Sequence, residues 1–165
     1  MDNATAYFVS AILIGIGATA VTDAWAFART MLTRAAPPDY GLVGRWIAYM
    51  PRGRFHHDAI AKSERMPYER VIGWTAHYVI GIGFASILLA IFGLDWARQP
   101  TIGPALLIGI ATVLAPFLIM QPGMGAGIAA SRAPNPNAAR VRSIVTHAVF
   151  GVGLYLAALA ARWIE

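Results

Sequence analysis

Long apolar stretches alternate with polar, basic segments along this chain of 165 residues. Four of the stretches hold about 19–24 residues each, close to the ~20 that a helix needs to cross the hydrocarbon core of a bilayer. They lie at about residues 7–30, 71–94, 102–120 and 144–164. Backbone groups in lipid must satisfy their own hydrogen bonds, so each stretch is predicted to be a helix. The pattern predicts an all-α membrane protein with four transmembrane helices in an up-down bundle.

The composition agrees with this prediction. Apolar and aromatic residues make up 58% of the chain and charged residues 13%, against roughly 45–50% and 25% in ordinary soluble domains. The net charge of +5 lies in the loops, which indicates membrane orientation and not nucleic-acid binding. Cysteine is absent, which excludes disulfides and thiolate metal sites. At this length a single transmembrane domain, residues 1–165, is expected.

The distribution of lysine and arginine predicts the orientation. Residues 29–70 hold eight of them and residues 132–142 hold three, whereas the opposite side has only Arg98 and Arg162. Short loops rich in positive charge stay in the cytoplasm. We therefore expect a multi-pass protein with both termini on the non-cytoplasmic side. Its basic cytoplasmic loop, residues 31–70, contains apolar positions at helical spacing around Arg45, which predict a short interfacial helix.

The chain also matches itself at two shifts. At a shift of 70 residues the motif His-x-Val-x-Gly-x-Gly at 77–83 falls on 147–153, and at a shift of 94 the motif Leu-Ile-Gly-Ile at 13–16 falls on 107–110. The matching helices run in the same direction, so the pattern predicts a parallel duplication of a two-helix unit. Apolar segments also match one another by chance, and this alternative stays open.

Three ionisable residues fall at similar depth in three of the predicted helices. Asp23, His77 and His147 each lie five to seven residues inward from a basic residue at the cytoplasmic helix end. At 1.5 Å per residue this places them about 7–11 Å inside those ends. Ionisable groups at this depth are costly unless they have partners, and they commonly mark functional sites. We therefore predict a shared polar site.

Several kinds of site fit this layer. Two imidazoles and a carboxylate suit a metal ion or proton transfer, with Gln121 as a further polar group at the end of the third helix. His77 and His147 would alternatively ligate a b-type haem from two helices. In the third interpretation Asp23 accepts hydrogen bonds from the histidines and only holds the helices together.

The basic loop has chemistry of its own. Arg52 and Arg54 are separated by a glycine and followed closely by His57 and Asp58. A solvated basic loop of this kind attracts anionic lipid headgroups. A more specific hypothesis has the arginines bind a phosphate, with His57 as general base and Asp58 as its orienting partner.

A glycine-rich segment follows the third helix. Residues 123–127 alternate glycine with other residues, and Arg132 lies shortly after them. Such a segment can expose backbone N–H groups to an anion. No strand precedes it, so it is neither a dinucleotide-binding fingerprint nor a P-loop. A closely packed turn is the alternative.

Together the loop motifs resemble those of a known family. They are Gly-Arg-Trp at 44–46, Pro-Arg-Gly-Arg-Phe at 51–55, His-Asp at 57–58, Ala-Pro-Phe at 115–117 and Met-Gln-Pro at 120–122. The chain is similar over nearly its whole length to bacterial four-helix inner-membrane proteins that are known only as a domain of unknown function. The resemblance implies the four-helix architecture and location in the bacterial inner membrane. It implies no activity, cofactor or catalytic residue.

These observations favour a protein that binds or transports a metal ion, a proton or a small polar ligand. The alternatives are a membrane-surface enzyme for a phosphate-bearing or lipid-like substrate, a b-type haem protein, and an assembly subunit of a larger membrane complex. The expected partners are the bilayer, anionic headgroups, and either a second copy of the chain or a larger complex.

Overall fold

The computed structural model describes residues 2–34 and 36–162, and every regular element in these two ranges is helical. Five helices account for most of the fold: α1 (Asn3–Thr33), α2 (Tyr40–Tyr49), α3 (Glu69–Arg98), α4 (Ile102–Gly123) and α5 (Pro136–Ala161). All but α2 are long and apolar enough to cross a membrane. The predicted all-helical chain with four spans is confirmed.

The four long helices extend beyond the apolar stretches from which they were predicted. Helix α1 begins at Asn3 because Asp2 caps it, its carboxylate accepting a hydrogen bond of 2.7 Å from the backbone N–H of Thr5. Helix α5 begins at Pro136, eight residues before the apolar stretch, since proline suits the first turn of a helix. Hydropathy detects only the part of a helix that lipid would cover, so it underestimates the length. The predicted end of the fourth span at residue 164 lies outside the described residues.

Proline changes the geometry of α4. Residues Pro116–Met120 form a π-helical turn within this helix. Proline has no N–H to donate to the turn before it, and its ring crowds the carbonyl there. A wider turn relieves this conflict.

The chain forms two compact units. The first, the bundle unit, consists of Met1–Pro37, Tyr78–Thr112 and Val145–Glu165. The second, the loop unit, consists of Pro38–His77 and Val113–Ile144.

Small residues allow the helices of the bundle unit to approach closely. A Cβ atom added to Gly15 would overlap the backbone of Ile82, next to Gly81, and one added to Gly109 would overlap the backbone of Gly151. The predicted shifts of 94 and 70 residues relate Gly15 to Gly109 and Gly81 to Gly151. Gly15 and Gly109 thus each meet the backbone of the next long helix, at Ile82 and Gly151, which lie one position apart in the register of the two shifts. The duplication stays a prediction. Aliphatic side chains, Ile14 and Leu154 among them, fill the core around these contacts.

The loop unit has a small core of its own. Trp46 and Tyr49 of α2 are buried together with Ile60, and methionine side chains pack against them. Asp39 begins α2, and its carboxylate accepts a hydrogen bond of 3.0 Å from the N–H of Gly41. This helix occupies the segment for which an interfacial helix was predicted. Between α2 and α3 the only regular structure is two short 3₁₀ turns, Met50–Arg52 and Ile60–Lys62.

Candidate functional site

Helix α2 holds the irregular segment that follows it through two aromatic side chains. The indole N–H of Trp46 donates a hydrogen bond of 2.8 Å to the carbonyl of Phe55. The hydroxyl of Tyr49 donates one of 3.1 Å to the carbonyl of Glu64. Backbone groups outside helices need such partners when they are buried. The two aromatic residues thus hold residues 50–64 against one face of α2.

A tight turn brings two arginines back to Tyr49. Gly53 ends the first 3₁₀ turn with a φ of 73°, a conformation that glycine adopts without strain. The backbone N–H of Arg54 then donates to the carbonyl of Tyr49 at 3.3 Å. As a result the guanidinium carbons of Arg52 and Arg54 lie 5.9 and 5.4 Å from the centre of the Tyr49 ring. Both distances lie in the range of cation–π contacts.

His57 lies at the edge of the same ring. Its imidazole is 4.9 Å from the Tyr49 ring, centre to centre, and only 1% of the residue is exposed. Its Nδ1 atom lies 3.0 Å from the hydroxyl oxygen of Ser63. Its Nε2 atom is buried and has no hydrogen-bond partner among the described residues. Tyr49, Arg52, Arg54, His57 and Ser63 are called the Tyr49 site below.

Burial lowers the pKa of His57 below the ordinary value of 6.5, and the nearby positive charge of Arg54 lowers it further. The imidazole is therefore neutral at pH 7. A neutral imidazole carries one N–H donor and one lone-pair acceptor, and its neighbours decide which nitrogen has which role. The predicted orienting partner, Asp58, is exposed. Ser63 instead makes the side-chain contact that orients the ring, and sequence reasoning did not find it.

The glycine-rich segment pairs with the loop that carries His57. The backbone N–H of His57 donates to the carbonyl of Gly123 at 2.9 Å, and that of Ile60 donates to the carbonyl of Met124 at 3.0 Å. A Cβ atom on Gly125 would overlap the carbonyl of Asp58. These glycines therefore serve close packing, as the alternative interpretation proposed. Arg132 is exposed at the end of the segment.

A largely buried ion pair holds the segment that contains Ser63 of the Tyr49 site. The guanidinium of Arg45, 5% exposed as a residue, binds both carboxylate oxygens of Glu69, at 2.7 and 2.9 Å. Its third nitrogen donates to the carbonyls of Ile60 and Ser63 at 3.3 and 3.0 Å. The hydrogen bond to Glu69 raises the pKa of Arg45, which keeps the guanidinium charged. The sequence offered one signal for this pair, a charged residue within the apolar face of α2.

Two glycines make this ion pair possible. A Cβ atom on Gly44 of α2 would overlap the carbonyl of Glu69, and one on Gly73 of α3 would overlap the carbonyl of Tyr40. The start of α3 therefore lies directly against α2. Arg45 follows Gly44 in the sequence, so the close contact brings its guanidinium within reach of the carboxylate.

The three residues of the predicted polar layer have identifiable neighbours. Asp23 accepts a hydrogen bond of 3.0 Å from the hydroxyl of Tyr78. The Nδ1 atom of His147 lies 2.9 Å from the hydroxyl oxygen of Thr112. In the loop unit, the imidazole of His77 stacks on the ring of Tyr40 with 4.1 Å between the ring centres. Sequence reasoning found none of these three partners.

The contacts of Thr112 also determine how it binds His147. Its hydroxyl donates a hydrogen bond of 2.6 Å to the carbonyl of Gly109. A hydroxyl has a single hydrogen to donate. When that hydrogen goes to Gly109, the Nδ1–H of His147 is the donor in its contact with Thr112. This links α5 to α4 inside the bundle unit, at the same turn where Gly109 meets Gly151.

The described residues include no group of three or more histidine, aspartate or glutamate side chains that could hold a metal ion. Gln121, proposed as a further ligand, donates from its amide nitrogen to the hydroxyl of Ser143 at 3.4 Å. Its amide oxygen is buried and has no partner within residues 2–34 and 36–162. The metal and haem interpretations gain no support from these contacts and stay predictions.

The comparisons with known proteins agree with the loop motifs. Neither the curated proteins nor the solved structures gave a match. The family model DUF2938, described as a protein of unknown function, matches residues 12–161. That range includes the Tyr49 site, α2 and the glycine-rich segment. The resemblance inferred from the motifs is confirmed, and this chain belongs to the DUF2938 family.

Proposed function

We propose that this protein is a multi-pass protein of the bacterial inner membrane that binds a phosphate-bearing ligand at its cytoplasmic surface. The ligand would bind at the Tyr49 site. One observation carries the proposal: two arginines lie against a single tyrosine ring beside a buried imidazole whose Nε2 atom has no partner in the described part of the chain. Cations and an unsatisfied polar atom together favour an anion with several oxygens.

The arginines are available for such a ligand. Neither Arg52 nor Arg54 forms an ion pair with a described carboxylate, and both are exposed. A guanidinium that rests its face on an aromatic ring keeps its N–H edge free. That edge matches two oxygens of a phosphate, and such charge-assisted pairs are stronger than neutral hydrogen bonds.

His57 would add a neutral donor. If Ser63 donates its hydroxyl hydrogen to Nδ1, the proton of the neutral imidazole is on Nε2, which then donates to the ligand. A buried polar atom without a partner costs about 1–3 kcal/mol. A ligand oxygen that reached Nε2 would remove this cost.

The distribution of positive charge supports a cytoplasmic location for this site. The loop unit contains most of the lysine and arginine residues, and short positive loops stay on the cytoplasmic side. Reporter fusions at residues 60 and 137 should both indicate the cytoplasm, and a fusion at residue 97 should indicate the opposite side. A fusion at residue 137 that indicates the non-cytoplasmic side would contradict the proposed orientation.

Binding can be tested with a double variant, Arg52→Gln with Arg54→Gln. The matched control is Lys62→Gln with Arg34→Gln, which removes two other exposed cations of the same basic loop. Titration calorimetry with inorganic phosphate and short-chain phosphatidylglycerol in low salt should show one class of binding site weakened at least about tenfold in the first variant only, since each lost charged hydrogen bond contributes roughly 1.5–3 kcal/mol. Equal losses in both variants would indicate a diffuse basic loop and no site.

The role of His57 needs a separate variant. In His57→Asn the amide reaches the position of Nδ1 and retains a partner for Ser63, but it has no atom at the position of Nε2. Its affinity for the same two ligands should fall, while Ser63→Ala should retain more of the affinity because Nε2 remains. If His57→Asn binds as the parent does, Nε2 is not part of the site.

A further inference from the structure

We propose that the loop unit has a second phosphate site, separate from the Tyr49 site, in which Arg65 and Arg70 bind the ligand. The site is an open cavity of about 380 Å³ where the start of α3 lies against α2. The residues that define it are Asp39, Arg45, Arg65, Tyr68, Glu69 and Arg70. Cavities that hold small ligands have volumes from about 300 Å³ upward, so a phosphate or a headgroup fits.

Arg45 closes the cavity without taking part in binding. All three of its nitrogens already have partners, in Glu69 and in backbone carbonyls. The charges of Arg45 and Glu69 cancel within the pair. The pair therefore contributes polar atoms but no net charge to the cavity, and binding depends on the exposed residues that line it, called the rim.

The rim carries a net positive charge. Arg65 and Arg70 are exposed, and neither forms an ion pair with a described carboxylate. The remaining acidic residue, Asp39, uses its carboxylate to cap α2 through the N–H of Gly41. Two cations against one carboxylate leave the rim with a charge of +1. An anionic ligand would satisfy both guanidiniums, which no described side chain does.

The backbone at the rim favours an anion as well. Arg70 lies in the first turn of α3, a helix of 30 residues. The unpaired N–H groups and the dipole at the start of a long helix attract negative charge. This contribution supplements the two arginines and would not define a site without them.

Tyr68 adds a feature typical of a functional rim. It has a φ of 58°, in the left-handed region that bulky residues rarely adopt. Strained conformations of this kind cluster at binding sites. The residue is 79% exposed, and tyrosine rings favour the headgroup level of a membrane. Tyr68 lines the cavity together with Arg65 and Arg70, so a ligand bound there would lie near its ring.

Both candidate ligands, a lipid headgroup and a soluble phosphate, carry a phosphate group. The full-length protein, purified in detergent and labelled with 3-fluorotyrosine, reports on both sites in one ¹⁹F spectrum. The chain has six tyrosines, and the variants Tyr68→Phe and Tyr49→Phe identify which two resonances belong to these residues. Titration with inorganic phosphate and, separately, with short-chain phosphatidylglycerol should shift the Tyr68 resonance in a saturable way. A response to the lipid alone would assign the headgroup, and a response to both would assign a phosphate site open to soluble ligands.

Arg65→Gln with Arg70→Gln should weaken the response at Tyr68 at least tenfold. Arg65→Lys with Arg70→Lys, which keeps the charge but loses the paired N–H geometry, should weaken it less. The Tyr49 resonance should respond in these variants as it does in the parent, and Arg52→Gln with Arg54→Gln should leave Tyr68 unaffected. The two proposals can therefore fail separately. A Tyr68 resonance that neither ligand shifts, or that shifts equally in the Gln double variant, would overturn this inference.

Discussion

The two units satisfy their buried polar groups in different ways. In the bundle unit the hydroxyls of Thr19 and Thr22 each donate to the carbonyl four residues earlier in the same helix. In the loop unit Trp46, Tyr49 and Arg45 donate to backbone or side-chain atoms 9, 15 and 24 residues away. A helix supplies its own backbone partners, whereas an irregular segment depends on side chains from elsewhere. The stability of the loop unit is therefore concentrated in a few side chains.

The bundle unit depends on close contact of backbones. Its helices meet at glycines, where carbonyls and Cα atoms approach without an intervening side chain. Lipid tails are as apolar as leucine, so helices in a membrane gain little from hydrophobic burial and associate through packing. Hydrogen bonds between helices, such as that from Tyr78 to Asp23, supplement this packing. Because many such contacts hold the bundle unit together, a substitution at one of them should remove only part of its stability.

Removal of one partner of the ion pair should have the largest effect. Arg45→Ala leaves Glu69 as a largely buried charge without its partner, which typically costs about 3–5 kcal/mol. Residues 50–64 should become sensitive to protease in detergent, and the midpoint of unfolding should fall. Arg45→Met with Glu69→Leu should recover much of this loss, because no unpaired charge remains. Wild-type protease resistance in Arg45→Ala would show that the loop unit does not depend on this pair.

Substitution at the glycine contacts should have a smaller effect. Gly109→Ala places a Cβ atom into the backbone of Gly151, and overpacking of this kind typically costs about 1–3 kcal/mol. Gly83→Ala, where a Cβ atom would meet nothing within 4 Å, is the matched control and should be neutral or slightly stabilising. Unfolding in increasing SDS measures both.

Gly15→Ala extends this test to the duplication. A Cβ atom there overlaps the backbone of Ile82, so the loss should resemble that of Gly109→Ala. If Gly83→Ala destabilises the protein as much as these two variants, the glycine contacts are not what holds the bundle unit together.

The smallest effect expected is a pH dependence from His57. Its pKa is lowered in the folded protein, so the unfolded chain, with a pKa near 6.5, binds a proton first on acidification. The stability of the loop unit should therefore be complete above about pH 6.5 and should decrease as the pH falls toward the folded pKa. Proteolysis of residues 50–64 between pH 7.5 and pH 5 measures this. His57→Asn should flatten the profile, and an unchanged profile would assign the dependence to another group.

The bundle unit was more predictable from the sequence than the loop unit. Hydropathy predicted the four long helices. The two repeat shifts relate the glycines at which the helices meet, although the contacts themselves were not predicted. The pair of Arg45 and Glu69 left no periodic signal, because its partners come from different elements 24 residues apart. The contact of His57 with Ser63 lies in an irregular segment, where no repeat constrains the side chains.

The predicted polar layer shows what the sequence does not predict even within the helices. Depth along a helix follows from a count of residues, which placed Asp23 and His147 at similar depth. The direction in which each side chain leaves its helix depends on the neighbouring helices, which a count does not provide. Tyr78 and Thr112 were therefore not predicted as partners.

The short connection between α3 and α4 has a consequence for biosynthesis. Gly93, with a φ of 77°, interrupts α3 near its end, and Trp96 donates to the carbonyl of Thr101 across the turn. Residues 99–101 reach at most about 10 Å, far less than the ~30 Å thickness of the hydrocarbon core. We therefore expect the second and third crossings to enter the bilayer together as a hairpin. In the proposed orientation the tip is translocated, and Asp95 and Arg98, whose side chains are 3.1 Å apart, would cross as a neutral pair.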